Sequence, residues 1–259
     1  MSAMENRFEI FRRWINDFLF AVEFLSRIPV PKNDAFANRP LAEVVWAFPL
    51  VGVFIGGSAG LVFLVMLQLG LTPLVCGLFA VITQIFITGG LHEDGIADVA
   101  DGFGGGHTLG EKLKIMRDSQ LGTYGVLALV SSFIIRAGLI AGMTTPIMSV
   151  LALMTAGAVS RSLVVLAMNK LEMVRKDGLA IRAGKPKNEA MYSAMGLGAT
   201  LAFIFLGANG WVVLAVAFTT TIMVCVLANY QIGGQTGDVL GAVQQISEIA
   251  VLISIITVL

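Results

Sequence analysis

Long apolar blocks separated by short polar stretches run through most of the chain. The blocks are about 20 residues long, the length of a helix that crosses the hydrocarbon core of a bilayer. Seven spans are predicted, at Val44–Gly70, Thr72–Leu91, Gly125–Met143, Pro146–Met168, Ala190–Leu206, Trp211–Tyr230 and Val239–Leu259. The seventh has the weakest pattern because Gln244, Gln245 and Glu248 interrupt it. We therefore expect an all-α, polytopic membrane helix bundle that forms a single domain over residues 1–259.

An amphipathic helix is predicted before the first span. Its apolar residues recur every three or four positions and form one face for the membrane interface or for the bundle. These residues are Phe8, Phe11, Ile15, Phe18, Leu19, Val22 and Leu25. Charged residues interrupt the stretch, so it lacks the apolar core of a signal peptide. We expect Pro29 and Pro31 to end the helix.

Composition supports the assignment to a membrane. Hydrophobic residues make up 56% of the chain and charged residues 13%, whereas soluble domains carry about 25% charged residues. This balance argues against a soluble enzyme, a secreted disulfide scaffold and a nucleic-acid-binding protein. Cys76 and Cys225 each lie inside an apolar block, where we expect them to be buried apolar side chains.

The formal net charge is zero, but the 17 lysines and arginines are distributed unevenly. Six precede the first span, three lie between the second and third, and six lie between the fourth and fifth. Positive charge marks the cytoplasmic side of short loops, so the N-terminus and the loops at 92–124, 170–189 and 231–238 are predicted to face the cytoplasm. This one-sided arrangement favours an enzyme of the cell inner membrane whose active site faces the cytoplasm.

The densest acidic cluster follows the second span and contains Glu93, Asp94, Asp98 and Asp101. The three aspartates stand at i, i+4 and i+7, so on a helix they share one stripe about 60° wide. Like charges this close repel one another, and Mg²⁺ accepts carboxylate oxygens while also binding substrate phosphates. The stripe therefore predicts a Mg²⁺ site for a phosphorylated substrate, and a solvated acidic surface is the alternative.

Three further residues are candidates for this site. His92 is a general base, a metal ligand or a hydrogen-bonded histidine at a helix end. Asp118 completes the metal site or caps the next helix. Asp238 is the only charge in a loop of glycines and amides, which suggests a ligand site.

Glycines surround the acidic cluster, and their backbone allows close approach to an anion. Gly104 and Gly105 are the candidates for such a contact, and Gln235 is a further candidate near Asp238. Because the chain lacks a P-loop lysine motif, an ATPase of that type is not indicated.

Basic side chains form a second set of candidates. Lys114 and Arg117 lie on a predicted short amphipathic helix and either meet phosphates or snorkel at the interface. Arg136 and Arg161 fall near the middle of the third and fourth spans, where a charge costs roughly 2.5 to 3.5 kcal/mol. Each is either a phosphate-binding arginine or a member of a buried ion pair, with Glu248 as the candidate acid.

Three motifs, GGLHEDGIADVADG, IMRDSQLGTYGVLALV and GGQTGDVLGA, resemble the cobalamin synthase family in order and spacing. RIPVP and PLVGVFIGG are also similar, so the resemblance covers nearly the whole chain. It implies a Mg²⁺-dependent membrane enzyme acting late in vitamin B12 assembly. In the implied reaction, a ribose hydroxyl of α-ribazole, or of its 5′-phosphate, attacks the phosphorus attached to cobinamide in adenosylcobinamide-GDP, and GMP leaves.

The resemblance also implies roles for residues. The acidic stripe is expected to hold one or two Mg²⁺, and His92 or an acid of the stripe to take the hydroxyl proton. The metal candidates are Glu93, Asp94, Asp98, Asp101, Asp118 and Asp238, and the substrate-binding candidates are Lys114, Arg117, Arg161, Gln235, Gly104 and Gly105. Expected partners are the corrinoid nucleotide, α-ribazole and membrane lipid, with no nucleic acid; a homo-oligomer or an association with other corrinoid-assembly enzymes is possible.

Two other classes of protein share features with this sequence. The acidic stripe is similar to that of CDP-alcohol phosphotransferases, but Val99 and Ala100 depart from their pattern. An ion or proton transporter would place its charged residues near the membrane midplane, whereas the acids here are expected at the cytoplasmic end.

Overall fold

The computed structural model describes residues 3–31, 40–175 and 183–259, with side chains described from residue 7. Within these ranges the protein is helical, and β-pairing is limited to an isolated bridge between Met173 and Gln235. The helices are α1 (Ala3–Leu25), α2 (Phe48–Gln68), α3 (Pro73–Thr88), α4 (Leu91–Gly105), α5 (Leu109–Ile115), α6 (Thr123–Ala141), α7 (Pro146–Lys170), α8 (Asn188–Leu206), α9 (Gly210–Ile232) and α10 (Gly237–Val258). The all-α prediction is confirmed. Part of the predicted basic loop at 170–189 lies outside the described residues.

Five segments of the described chain are long and apolar enough to cross a membrane. They are Val45–Gln68, Thr123–Ala141, Pro146–Lys170, Asn188–Ile232 and Gly237–Val258. The fourth has 45 residues and contains both α8 and α9. Counting α3 and α4 together as one bent span raises the total to six. The chain is thus compatible with a multi-pass membrane protein, but the predicted count of seven is not confirmed.

The predicted second span ends earlier than expected. Helix α3 stops at Thr88, and α4 leaves it at an angle of 94°. Gly89 and Gly90 form the bend with φ angles of 68° and 74°, a left-handed conformation that glycine adopts without steric cost. The acidic stretch, which begins the predicted cytoplasmic segment at 92–124, therefore forms a helix of its own.

Helix α7 lies at the centre of the bundle, and 83% of the residues in its most apolar stretch are buried. It packs against α2, α8 and α10. Gly52 of α2 and Gly157 of α7 lie in direct contact, because a Cβ added to Gly52 would stand 2.1 Å from the Gly157 carbonyl oxygen. Small residues at such positions let membrane helices approach closely.

Helix α1 confirms the predicted N-terminal helix, although it ends at Leu25, before the two prolines. Its C-terminal part packs on the bundle: the Phe24 and Phe48 rings stack with centroids 6.2 Å apart. Asp17 Oδ2 accepts a hydrogen bond of 2.9 Å from Trp46 Nε1. Phe8 and Phe11 are exposed, so the opposite end presents apolar side chains outside the bundle.

Helix α10 runs without a break through the polar residues that weaken its pattern. Gln244, Gln245 and Glu248 are all buried and hydrogen-bond to other buried polar side chains. Since these groups are satisfied inside the bundle, they do not oppose the burial of the helix.

Candidate active site

Helix α4 carries the acidic stripe. Asp94 is exposed, Asp98 is half-buried and Asp101 is buried, and the predicted helix through all three is confirmed. Gly95 lies against the first turn of α10, where a Cβ would stand 2.7 Å from the Asp238 carbonyl oxygen. This close approach brings Asp238 to the stripe, 140 residues away in sequence.

Asp101 uses both carboxylate oxygens to hold the N-terminus of α6. Oδ2 accepts a hydrogen bond of 2.7 Å from Gly122 N, and Oδ1 accepts one of 2.8 Å from Gly125 N. Gly122 is the N-cap of α6 and Gly125 lies in its first turn. The N–H groups at this end of a helix have no partners inside the helix. The oxygens keep further lone pairs, so a role for Asp101 in metal binding or catalysis stays a prediction.

Asp238 pairs with a residue that the sequence did not single out, Arg175. Arg175 Nη1 lies 3.0 Å from Asp238 Oδ2, which also accepts a hydrogen bond of 3.1 Å from Thr236 Oγ1. Burial and the negative charges of Asp94 and Asp238 raise the pKa of the Asp98 carboxyl to about 7, while the positive charge of Arg175 opposes this shift. The stripe therefore faces a charged pair from two other parts of the chain.

An apolar cavity of about 290 Å³ opens beside these charges. It lies where α1 and α7 end and where α2, α4 and α10 begin. Aromatic and aliphatic side chains form most of its wall, among them Phe24, Phe48, Leu91, Met168 and Leu240. Its polar groups come from His92, Asp94, Arg175, Gln235, Thr236 and Asp238.

A basic cleft of about 370 Å³ lies on the other side of Arg175. Its cationic side chains are Lys114, Arg117 and Arg175, so two of the predicted phosphate-binding residues lie together. Arg175 lines the cavity and the cleft alike. The two spaces therefore meet at the Arg175–Asp238 pair.

Helix α5, which carries Lys114, confirms the predicted short helix and is closed by a capping box. Thr108 Oγ1 accepts from Glu111 N at 3.2 Å, and Glu111 Oε2 accepts from Thr108 N at 3.0 Å. Hydrogen bonds from the His107 and Thr108 backbone lower the pKa of the Glu111 carboxyl. The cap fixes the start of the helix that borders the cleft.

Arg136 forms a buried ion pair, which is one of the two roles predicted for it. Nη2 lies 3.1 Å from Glu248 Oε1, and Nη1 lies 2.8 Å from Glu93 Oε1. Gln84 and Gln245 accept further hydrogen bonds from the same guanidinium. Glu93 thus belongs to this buried network, and a role for Glu93 as a metal ligand stays a prediction.

Arg161 is buried and its Nη1 donates to the Gly157 carbonyl oxygen at 3.2 Å. Among the described residues its Nε has no hydrogen-bond partner. It does not line the cavity or the cleft, so phosphate binding by Arg161 stays a prediction.

The remaining candidates fall in different places. His92 is buried at the contact of α4 with α10 and lines the cavity. Asp118 is exposed and accepts a hydrogen bond from Gln120 N, while Asp101 holds the start of α6 instead.

Gly104 packs on the Tyr124 ring, where a Cβ would stand 2.8 Å away. Gly105 lies near Ile115, so packing accounts for both glycines and anion binding stays a prediction.

Within the described ranges, no group of three or more His, Cys, Asp or Glu side chains is arranged to hold a metal ion. Mg²⁺, however, is commonly held by one or two carboxylates together with waters and substrate phosphates. Asp94 and Asp98 are hard oxygen donors one helical turn apart, and neither is fully buried. Their chemistry therefore fits such a site.

Fold and site together define an all-helical, multi-pass membrane protein with an acidic site between an apolar cavity and a basic cleft. A family model described as Cobalamin-5-phosphate synthase matches residues 17–256. The chain belongs to this family, the cobalamin synthases, which are enzymes of a late step in cobalamin biosynthesis.

Curated relatives agree with this membership, and each is named adenosylcobinamide-GDP ribazoletransferase. The relative from Bradyrhizobium diazoefficiens is 40% identical over 249 residues, which are 95% of each chain. The relative from Mesorhizobium japonicum is 39% identical, and the match covers 93% of each chain. The relative from Azorhizobium caulinodans is 40% identical, and the match covers 94% of this chain and 96% of the relative. No solved structure gave a match.

Proposed function

We propose that the protein joins adenosylcobinamide-GDP to α-ribazole, or to its 5′-phosphate, and releases GMP. The observation that carries this proposal is the meeting of two different spaces at one charged pair: an apolar cavity and a basic cleft share Arg175, which binds Asp238. A reaction between an uncharged aromatic nucleoside and a charged nucleotide needs two such environments side by side.

In this reaction the oxygen of a ribose hydroxyl that is free in both α-ribazole and its 5′-phosphate forms a bond to the phosphorus attached to cobinamide. The bond from that phosphorus to the oxygen of GMP breaks, and the hydroxyl proton passes to a base. Asp94 and His92 both line the apolar cavity, and we propose one of them as this base. The chain's main contribution is to position the two substrates and to offset charge, as in other phosphoryl transfers.

We propose Asp94 and Asp98 as the principal ligands of Mg²⁺, with Asp238 facing them. Asp238 is available once Arg175 turns to a substrate phosphate, because the two side chains now pair with each other. A bound Mg²⁺ would offset charge on the pyrophosphate and on the departing GMP. The Asp101 carboxylate positions the start of α6 beside the same site by accepting hydrogen bonds from two backbone N–H groups.

The basic cleft is the proposed site for the diphosphate of the nucleotide. Lys114, Arg117 and Arg175 supply three cationic side chains there, and arginines bind phosphate through paired hydrogen bonds. The corrin ring would lie outside both spaces, since neither exceeds about 370 Å³.

We further propose that the site faces the cytoplasm from the inner membrane. The cavity lies at the bundle end that carries the basic N-terminal and 170–189 segments, and basic loops mark the cytoplasmic side. Membrane lipid would surround the exposed apolar side chains of α6 and α9. Nucleic acid is not an expected partner, and a homo-oligomer or an association with other corrinoid-assembly enzymes remains part of this proposal.

One assay tests the proposed function. Purified membranes are incubated with adenosylcobinamide-GDP, α-ribazole and Mg²⁺, and release of GMP is measured. We expect GMP release that EDTA abolishes and added Mg²⁺ restores, and that Asp94→Asn and Asp98→Asn remove while the protein still inserts and folds. Absence of GMP from folded protein would refute the reaction, and full activity of both variants would refute the metal ligands.

A further inference from the structure

Gln235, a polar residue of the apolar cavity, makes four hydrogen bonds to backbone atoms. Its backbone N–H donates to the Glu172 carbonyl oxygen at 2.8 Å, and its own carbonyl oxygen accepts from Val174 N at 3.0 Å. Its side-chain Nε2 donates to the Met168 and Leu171 carbonyl oxygens at 3.1 and 2.9 Å. The backbone and the amide nitrogen of Gln235 are therefore fully engaged.

These contacts also determine the orientation of the amide. Rotating it by half a turn would place Oε1 against two carbonyl oxygens, and none of these three atoms can donate a hydrogen bond. Oε1 must therefore lie on the side away from Met168 and Leu171. Gln235 is 1% exposed, and among the described residues its Oε1 has no hydrogen-bond partner.

A buried acceptor without a partner is unfavourable and rare in folded proteins. Gln235 lines the apolar cavity, so a ligand bound there is the candidate partner for Oε1. The ligand must carry an O–H or N–H donor, which a lipid acyl chain lacks.

The rest of the cavity restricts the ligand further. Phe24 and Phe48 lie parallel to within 14° and, with the aliphatic wall, favour a flat apolar group. The volume of about 290 Å³ is at the lower end for ligand sites, which run from about 300 Å³ upward. A nucleoside is of this size, whereas a corrin ring is far larger.

We infer that the apolar cavity is the subsite for the acceptor nucleoside, in which the base lies against the apolar wall and a ribose hydroxyl donates to Gln235 Oε1. The inference rests on the proposed function for the identity of the nucleoside. The base of α-ribazole carries no N–H, so the donor has to be a hydroxyl of the sugar. Asp94 and Asp238 line the same cavity, so this subsite would bring the sugar of the nucleoside to the proposed metal ligands.

The test measures equilibrium binding of α-ribazole to detergent-solubilised protein without corrinoid and with EDTA present. Wild-type protein is compared with Gln235→Met, using α-ribazole and its 2′-deoxy and 3′-deoxy analogues. We expect wild type to bind one deoxy analogue about tenfold more weakly than α-ribazole. Gln235→Met should bind α-ribazole and that deoxy analogue equally, because it lacks the acceptor.

The crossed design separates hydrogen bonding from a structural role. A structural role alone would weaken both ligands in Gln235→Met by the same factor and preserve the preference, which would overturn the inference. Equal binding of all three ligands by wild type, or no binding, would overturn it too. Failure of the proposed reaction would show separately, as absence of GMP release despite nucleoside binding.

A second variant covers the case in which Gln235→Met does not fold. Leu91→Trp adds volume to the cavity wall, and we expect it to weaken α-ribazole binding more than tenfold. Leu127→Trp makes the same substitution on α6 at a side chain that is 58% exposed and should bind like wild type. Equal binding by both tryptophan variants would place the nucleoside elsewhere.

Discussion

Gly95 of α4 and Gly241 of α10 lie backbone against backbone, since a Cβ added to Gly241 would stand 3.1 Å from the Gly95 Cα. The contact places Asp94, the neighbour of Gly95, beside the first turn of α10 and its Asp238. Two glycines therefore set the separation of the acids that we propose to act together.

Gly95→Ala should reduce GMP release by about tenfold or more, because small displacements of reacting groups have large effects on rate. The new Cβ would stand 2.7 Å from the Asp238 carbonyl oxygen, so α4 and α10 have to move apart. Gly138→Ala on α6 is the matched control, as its Cβ meets nothing within 4 Å. It should keep its activity and gain about 0.5 to 1 kcal/mol of stability. Equal activity of the two variants would contradict the role of this contact.

Asp101→Asn should destabilise the protein by about 1 to 2 kcal/mol. Asparagine keeps one acceptor oxygen, so the N–H of Gly122 or of Gly125 loses its partner. The measurement is unfolding in detergent with EDTA present, where metal binding makes no contribution. Asp94→Asn, an exposed position, should unfold like wild type under the same conditions. If Asp101→Asn also unfolds like wild type, its hydrogen bonds to α6 contribute nothing to stability.

Arg136→Met should destabilise the protein by about 3 to 5 kcal/mol, because it leaves Glu93 and Glu248 without their buried cation. Adding Glu248→Met should restore part of this loss, since one uncompensated charge is then removed as well. Lys185→Met provides a comparison at an exposed pair with Glu172 and should change stability by less than about 1 kcal/mol. A double variant no more stable than Arg136→Met would argue against the ion pair. Unfolding in detergent measures all three.

Much of the helical framework could be predicted from the length of the apolar blocks. The predicted Gly125–Met143 and Pro146–Met168 agree closely with α6 and α7. The spacing of the aspartates likewise predicted the helix now seen as α4. Both patterns depend on residues close together in the sequence, because the period of a helix covers only a few positions.

The parts that could not be predicted depend on contacts between distant segments. Arg175 was one of six cations in a basic loop, and only the packing of α10 places it against Asp238. Periodicity alone separates Glu93 from the three aspartates. At about 100° per residue, Glu93 lies off the aspartate stripe, which agrees with its pairing to Arg136 in the interior.

Arg175→Gln should raise the KM for adenosylcobinamide-GDP by about tenfold or more, because a charge-assisted hydrogen bond to phosphate contributes about 1.5 to 3 kcal/mol. Arg175 lines both the cavity and the basic cleft, so its loss also leaves Asp238 without its cation. Lys187→Gln removes one positive charge from the same loop at an exposed position and controls for the general attraction of an anionic substrate. We expect the KM of Lys187→Gln to stay within about twofold of wild type, since exposed charges act weakly at physiological salt. Steady-state GMP release at varied adenosylcobinamide-GDP measures both, and an equal rise in KM for the two variants would show that Arg175 acts only through net charge.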